Sequence, residues 1–342
     1  MGTREDIWTG VAGGLVVIIA ALDAATGGEG FQGVLLAGPV VASATISARR
    51  TAVVAAMTVA AGLLVGAVHG RLDDFDHIVR VAGLVLTGGF CVVGARWRER
   101  RERDLARVTK VAEVAQLAIL RPIPNRVGPV AFASRYVSAA EQAFIGGDLY
   151  EVVPGGEGVR VVVGDVRGKG LEAVHLAALV LGAFREAAGV EQALEQVAAA
   201  VDRAVAGEIT LEDFVTALFV EFLPGGEVRV VNCGHHPPLR LTDRTAEYLT
   251  PTEVNPPLGL APDFVVEVHH LDRGDRLLLY TDGLVEARSR DRRFFELAPE
   301  VLASLGRRGL DTALENLVAQ VLRHSGGRLD DDLALLLAEL RS

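Results

Sequence analysis

Four apolar stretches fill most of the first 95 residues and leave this part of the chain few folds to choose from. Residues 8–25, 31–48, 51–69 and 78–95 each run about 18–20 residues with almost no charge, close to the ~20 a helix needs to cross a ~30 Å hydrocarbon layer. In lipid every backbone N–H and C=O must be satisfied within the chain, so such stretches are viable there only as helices. The joints between them are short and polar: Gly27-Gly28-Glu29-Gly30, Arg49-Arg50, and residues 70–76 with Asp73, Asp74 and Asp76. They predict helical hairpins, and residues 1–95 read as an all-α, four-helix transmembrane region.

Charge sets the orientation. Arg49-Arg50 and the cluster Arg96, Arg98, Arg100, Arg101 and Arg103 mark the cytoplasmic side, and the acidic loop marks the outside. Both chain ends then face the cytoplasm, as expected of a multi-pass protein of the cell membrane. Trp8 and Trp97, the only tryptophans, fall at the cytoplasmic interface where indoles favour the headgroup level. Asp23 and Arg80 lie near the ends of their spans and are expected to snorkel to the interface. The N-terminus sets Arg4 against Glu5 and Asp6, so it lacks the basic leader of a cleaved signal peptide.

Residues 96–127 read as a basic helical stalk. Leu105, Val108, Val111, Ala115 and Ile119 recur at helical spacing, and Arg121-Pro122-Ile123-Pro124 stops the helix. Two readings stay open: pairing with a twin helix in a homodimer, or a solvated stalk against anionic lipid.

The remainder, 128–342, has a different character. The net charge of −10 comes from here, with 22 basic against 33 acidic residues after Leu120; nucleic acid is excluded as a partner, since phosphate backbones demand a basic face. Cys91 and Cys233, the only cysteines, exclude a disulfide framework and a cysteine-rich metal site. Strands are predicted at 159–163, 214–222, 228–232, 264–270, 276–280 and 333–340, and helices at 171–188, 191–205, 297–305 and 310–322. Residues 214–222 and 228–232 flank Leu223-Pro224-Gly225-Gly226, and 264–270 and 276–280 flank Asp272-Arg273-Gly274-Asp275, two hairpin signals. Hairpins and paired helices predict an α+β domain with antiparallel sheet rather than a βαβ array.

Acids stand beside glycine or at strand ends in Gly146-Gly147-Asp148, Gly164-Asp165-Val166, Thr281-Asp282-Gly283 and Asp330-Asp331-Asp332. Carboxylates brought together raise one another's pKa unless a cation holds them ionised, and hard oxygen ligands suit magnesium or manganese. Gly164–Gly170 is one residue short of a phosphate loop and has glycine where Ser or Thr is needed. A diguanylate cyclase reading of Gly146–Tyr150 leaves the later acids unexplained. Adjacent histidines, as in His235-His236 and His269-His270, point to opposite faces of a strand and suit a shared zinc ion poorly.

Taken in order, Phe144-Ile145-Gly146-Gly147-Asp148-Leu149-Tyr150, Gly164-Asp165-Val166-Arg167-Gly168-Lys169-Gly170, Asn232-Cys233-Gly234-His235-His236-Pro237-Pro238-Leu239, Leu279-Tyr280-Thr281-Asp282-Gly283-Leu284-Val285-Glu286-Ala287 and Asp331-Asp332-Leu333 resemble the bacterial sporulation and stress-response branch of the PP2C serine/threonine phosphatases. The resemblance covers roughly residues 115–340. It implies an α-β-β-α sandwich of two antiparallel sheets with a two-metal site at one edge. Asp148, Asp165, Asp282 and Asp331 are the implied metal-binding and catalytic aspartates, with Asp165 bridging two Mn2+ or Mg2+ ions and the carbonyl of Val166 adding a ligand. The implied reaction is hydrolysis of phosphoserine or phosphothreonine by a water activated between two cations. The implied substrate is a phosphorylated protein, an anti-sigma-factor antagonist. The rival from another class is a membrane receptor with a catalytically silent phosphatase-like domain, which has no evident need for such mutually repelling acids. Glu151, Arg167 and Cys233 depart from the usual family residues without removing a ligand. The roles of Arg167, Lys169 and Asp332, and the general acid, stay open.

Overall fold

The computed structural model describes every residue except 1, 27–31, 140–145, 169, 210–213, 243–244, 261–262, 298–301, 303–304, 306–308 and 342. The chain divides into two units, Met1–Arg107 and Val108–Ser342.

In the first unit, helices α1 (Gly2–Ala25), α2 (Ala37–Thr45), α3 (Ala48–Val68) and the first part of α4 (Phe75–Ile119) pack around Ala12, Val16, Ile19, Leu35, Ala42, Ile46, Val54 and Leu84. Small residues let the backbones approach, as in lipid-embedded helix pairs: a Cβ on Gly38 would lie 2.3 Å from Val16, and one on Gly62 would lie 2.7 Å from Leu84. The outer surface is apolar, with Phe90, Leu86 and Ile18 all exposed. Arg50 bonds Asp6 at 2.6 Å, Glu99 accepts from the Ala48 amide at 2.7 Å, and Arg98 donates to the carbonyls of Ser43 and Ile46. The start of α1, the end of α2, the start of α3 and the arginine-rich segment of α4 therefore lie at one level of this unit.

Two expectations change here. The second apolar stretch is a 3-10 turn, Gln32–Leu36, leading into the nine-residue α2. Its apolar helical run, Gly33–Thr45, spans only ~20 Å at 1.5 Å per residue. Pro39 is the reason: lacking an N–H and fixed in φ, it belongs in the first turn of a helix, so the helix starts at Ala37. Asp23 does not snorkel; its side chain is fully buried in the unit, whereas Arg80 is exposed.

The second unit is a four-layer sandwich. One sheet has the order β3 (Leu149–Gly155), β4 (Gly158–Val166), β5 (Val215–Phe222), β6 (Glu227–Cys233), β9 (Glu267–His270). The other has the order β1 (Arg126–Val127), β2 (Val130–Val137), β11 (Leu333–Leu340), β10 (Arg276–Tyr280), β7 (Leu239–Leu241), β8 (Ala246–Tyr248). All the pairings are antiparallel. Helices α5 (Leu171–Val190) and α6 (Leu194–Ala206) cover the five-stranded sheet, and α7 (Leu310–His324) covers the other.

This layering explains strands that read as continuous apolar runs. In β11, Ala334, Leu336, Ala338 and Leu340 face the core between the sheets, while Leu333, Leu335 and Leu337 face the core under α7. Both faces of the strand are dry, so the period-two polar alternation is absent. Beneath the five-stranded sheet, the buried Arg160 pairs with Glu221 at 2.6 Å. It also caps the carbonyls of Ala188 and Glu191 at the end of α5, where a cation suits the helix terminus.

The first predicted hairpin is present as β5 and β6, with Leu218 opposite Asn232. The second is not. β9 pairs with β6 in one sheet, and β10 pairs with β11 and β7 in the other. The turn between them is held to the second sheet: Gly274 N donates to Leu340 O at 2.7 Å, and the Asp275 carboxylate takes Arg240 at 2.7 Å and the Asp272 amide at 3.1 Å. Those bonds carry the chain across the sandwich instead of folding it back. The helix expected over 297–305 falls largely outside the described residues.

Candidate functional site

The register of the two sheets brings the acids to one edge. Leu149 pairs with Gly164, so Asp148 and Asp165 flank each other where β3 begins and β4 ends. Tyr280 pairs with Leu335, so Asp282, just past β10, and Asp331, just before β11, lie at the same end of neighbouring strands. Carboxylate oxygens of Asp148, Asp165 and Asp282 all lie within 4.8 Å of one another. Asp165, Asp282 and Asp331 line one cavity of about 390 Å³, shared with Val166, Arg167 and His236.

Electrostatics makes this cluster untenable as a set of bare anions. Burial, and next the neighbouring Asp165, push the Asp148 carboxyl well above the usual carboxylate range. Burial, then Asp282 and Asp331, push Asp165 up to about 8. Acids at this spacing stay ionised together only when a cation shares them. A cluster of carboxylate oxygens fits a hard divalent ion such as Mg2+ or Mn2+.

The backbone makes room for the cluster. A Cβ on Gly147 would lie 2.4 Å from Val166 O, and one on Gly283 would lie 2.0 Å from Asp332 O. These contacts bring the Val166 carbonyl beside Gly147 and seat the Asp282 turn on the strand that follows Asp331.

The side chains that hold the acids in place are largely outside the set singled out in the sequence. Thr281, fully buried, donates to Asp148 Oδ2 at 2.7 Å and accepts from the Ala334 amide at 2.9 Å. One hydroxyl thus couples β3 to β11. Gln116, at the end of α4, donates to the Asp148 carbonyl at 3.4 Å. The signal for Thr281 was its place between a strand end and Asp282; nothing in the sequence pointed to Gln116.

Residues of undecided role find places. Asp332, 1% exposed, accepts from Tyr136, from the Ala139 amide at 2.8 Å and from the Gly146 amide at 3.1 Å, so it ties β2 to Gly146, two residues before Asp148. Glu151 faces α5 and pairs with Arg185, which also donates to Ile119 O at 2.9 Å. Arg167 lies on the cavity wall with its guanidinium 5.2 Å from the Phe214 ring centre. Cys233 is buried, and burial raises its thiol pKa far beyond the reactive range. Lys169 falls outside the described residues.

His235 is a strut. Its Nε2 lies 3.1 Å from Tyr280 O and its Nδ1 lies 3.0 Å from Thr216 Oγ1. A carbonyl only accepts, so the proton sits on Nε2 and Nδ1 accepts from the hydroxyl. Burial, and then His236, push its pKa down to about 3, which keeps the ring neutral. His236 stacks on Tyr280 with centroids 5.7 Å apart.

A profile of the Stage II sporulation protein E family matches residues 155–341. The phosphoserine phosphatase RsbU of Bacillus subtilis (strain 168) is 22% identical over 196 residues, 56% of this chain and 58% of its own length. Among solved structures, the RsbU and RsbW domains of a Mycobacterium tuberculosis protein are 30% identical with a TM-score of 0.55, over 62% of this chain and 60% of that one. The SiaA PP2C domain of Pseudomonas aeruginosa, 17% identical, superposes with a TM-score of 0.59 over 72% of this chain and all of its own. The chain thus spans less than two thirds of the length of the first two relatives. These similarities establish the PP2C fold that the layers and strand order describe.

Proposed function

The chain belongs to the Stage II sporulation protein E family, and from that premise we propose that it is a membrane-anchored, metal-dependent phosphatase of phosphoserine and phosphothreonine in proteins. The observation that carries this reading is the meeting of Asp148, Asp165 and Asp282 within 4.8 Å, at a cavity that also takes in Asp331. Asp148, Asp165, Asp282 and Asp331, with the carbonyl of Val166, would hold two Mn2+ or Mg2+ ions. Bound there, the ions supply Lewis acidity, lowering the pKa of water toward neutrality and neutralising phosphoryl oxygens.

The protein's own residues do the rest. Thr281 fixes the rotamer of Asp148 through its hydroxyl, and Asp332 holds the Gly146 amide two residues before Asp148. Arg167 adds a fixed positive charge to the cavity wall, suited to a phosphate dianion. Neutral His235 braces β10 against Thr216 on β5 without adding charge.

The three long apolar helices α1, α3 and α4 anchor the chain as a multi-pass protein with the second unit in the cytoplasm. The RsbU relative is named a phosphoserine phosphatase; from the resemblance of the motifs we assign as substrate a phosphorylated anti-sigma-factor antagonist, and to the stalk a homodimeric contact. The test is hydrolysis of a phosphoserine peptide by the full chain in detergent micelles, with Mn2+ and then with a chelator. Turnover that requires the metal is the expected result. Absence of turnover with Mn2+ and Mg2+, from a folded chain, would overturn the reading.

A further inference from the structure

A second cavity, of about 570 Å³, opens beside the aspartate cavity and shares Glu286 and Asp331 with it. Arg288, Arg290, Arg292 and Arg328 line it, in a chain whose net charge is −10. Among the described residues, Arg288, Arg290 and Arg292 have no ion-pair partner. Arg288 lies over the Phe294 ring at 4.6 Å, a stacking that leaves guanidinium N–H donors available to a second partner. Arg292 has φ 62°, the single non-glycine residue in the left-handed region among those described. Such a conformation is uncommon for a side chain of this kind and persists where surroundings impose it. Here the imposing element is a tight turn, in which Arg292 N donates to Ser289 O at 2.8 Å and Ser289 N to Arg293 O at 2.9 Å. The acids of the cavity, Glu286, Asp330 and Asp331, include the two shared with the aspartate cavity, so the part away from the aspartates is cationic.

The geometry points to a recognition subsite for acidic side chains, Asp or Glu, that flank the phosphorylated residue of a protein substrate. It rests on the phosphatase reading for the position of the phosphate, and adds to it the class of sequence the site selects. Carboxylates meet arginine in paired, charge-assisted hydrogen bonds, and a cavity contiguous with the aspartate site is reached by residues next to the phosphoresidue.

The test uses the full chain in micelles with Mn2+ and two fluorescent peptides carrying a non-hydrolysable phosphonate analogue of phosphoserine. One has Glu and Asp on both sides, and the other has Gln and Asn. The acidic peptide is expected to bind about tenfold more tightly, as for a few charge-assisted pairs. In the double variant Arg290→Gln, Arg292→Gly that ratio falls toward one. Replacing Arg292 by glycine relieves the left-handed backbone, so a melting temperature no lower than that of the single Arg290→Gln variant separates loss of recognition from loss of fold. Equal binding of the two peptides by the unmodified chain, or a preference that survives the double variant, overturns the subsite. Selective binding of the acidic peptide without hydrolysis of its phosphoserine counterpart would leave the subsite standing and bring down the phosphatase reading alone.

Discussion

Helices α1 and α5 are alike in composition and unlike in surroundings. Both are long and apolar enough to cross a membrane, yet 22% of the apolar window in α1 is buried against protein, compared with 50% in α5. In α5, Ala177, Val180, Leu181 and Phe184 are sealed against the five-stranded sheet and α6. In α1, Val17 and Ile18 face outward and are each more than half exposed. Hydropathy alone does not separate a core helix from a lipid-facing one; the covering layer does, and only the fold supplies that information.

The largest effect expected lies outside both helices and marks what the second unit alone contributes. Asp282→Asn should lower metal-dependent turnover by about 10³-fold or more, ~4 kcal/mol of barrier, with helix content unchanged by circular dichroism; turnover within tenfold of the unmodified chain would remove Asp282 from the ligand set. The comparison itself is tested by a matched pair. Phe184→Ala in α5 should cost about 3–5 kcal/mol of unfolding free energy, read by denaturant titration, whereas Ile18→Ala in α1 should stay within about 0.5 kcal/mol. Similar losses at both sites would mean that α1 is covered by protein after all.

Smaller is Thr281→Val, which keeps the shape and deletes the hydroxyl between Asp148 and Ala334. Leaving those groups unpaired should cost about 1–3 kcal/mol of stability and roughly 10–100-fold in manganese affinity, measurable by calorimetry. The site also responds to pH. Without metal, Asp165 holds its proton up to about 8, against an ordinary value of 3.8. The folded state then binds more protons than the unfolded one across that window, so this group's contribution to metal-free stability falls as pH rises from about 4 to about 8. Metal binding must displace the proton, so affinity should rise by up to about tenfold per pH unit toward pH 8. A flat affinity profile from pH 6 to 8 would show that Asp165 is already ionised.

The acids were legible because each sits where a strand meets a turn, and such positions are written in glycine and aspartate whatever surrounds them. The strands β10 and β11 were legible for a different reason: they are short leucine-rich runs bounded by turn residues, although the hairpin that marked Arg276–Tyr280 is absent. What stayed hidden depends on partners distant in sequence. The crossing between β9 and β10 is decided by Leu340 and Arg240, which no local reading of Asp272-Arg273-Gly274-Asp275 can supply. Gln116 reaches the Asp148 carbonyl and Arg185 the Ile119 carbonyl besides Glu151, and a carbonyl has no letter in a sequence. Pro39 did carry the news that the second apolar stretch is shortened, but a hydropathy window averages a single proline away.

The walls of the aspartate site rest on glycine as much as on acid. At Gly147 and Gly283 the first carbon of any side chain would fall 2.4 Å and 2.0 Å from a carbonyl oxygen, well inside van der Waals contact. Inactivation in this lineage therefore has a route that leaves every aspartate in place: one substitution at either glycine pushes neighbouring strands of one sheet apart at the end that carries the acids. A relative judged active from its complete set of acids can be dead, and a survey of silenced members should read these two glycines before it counts carboxylates.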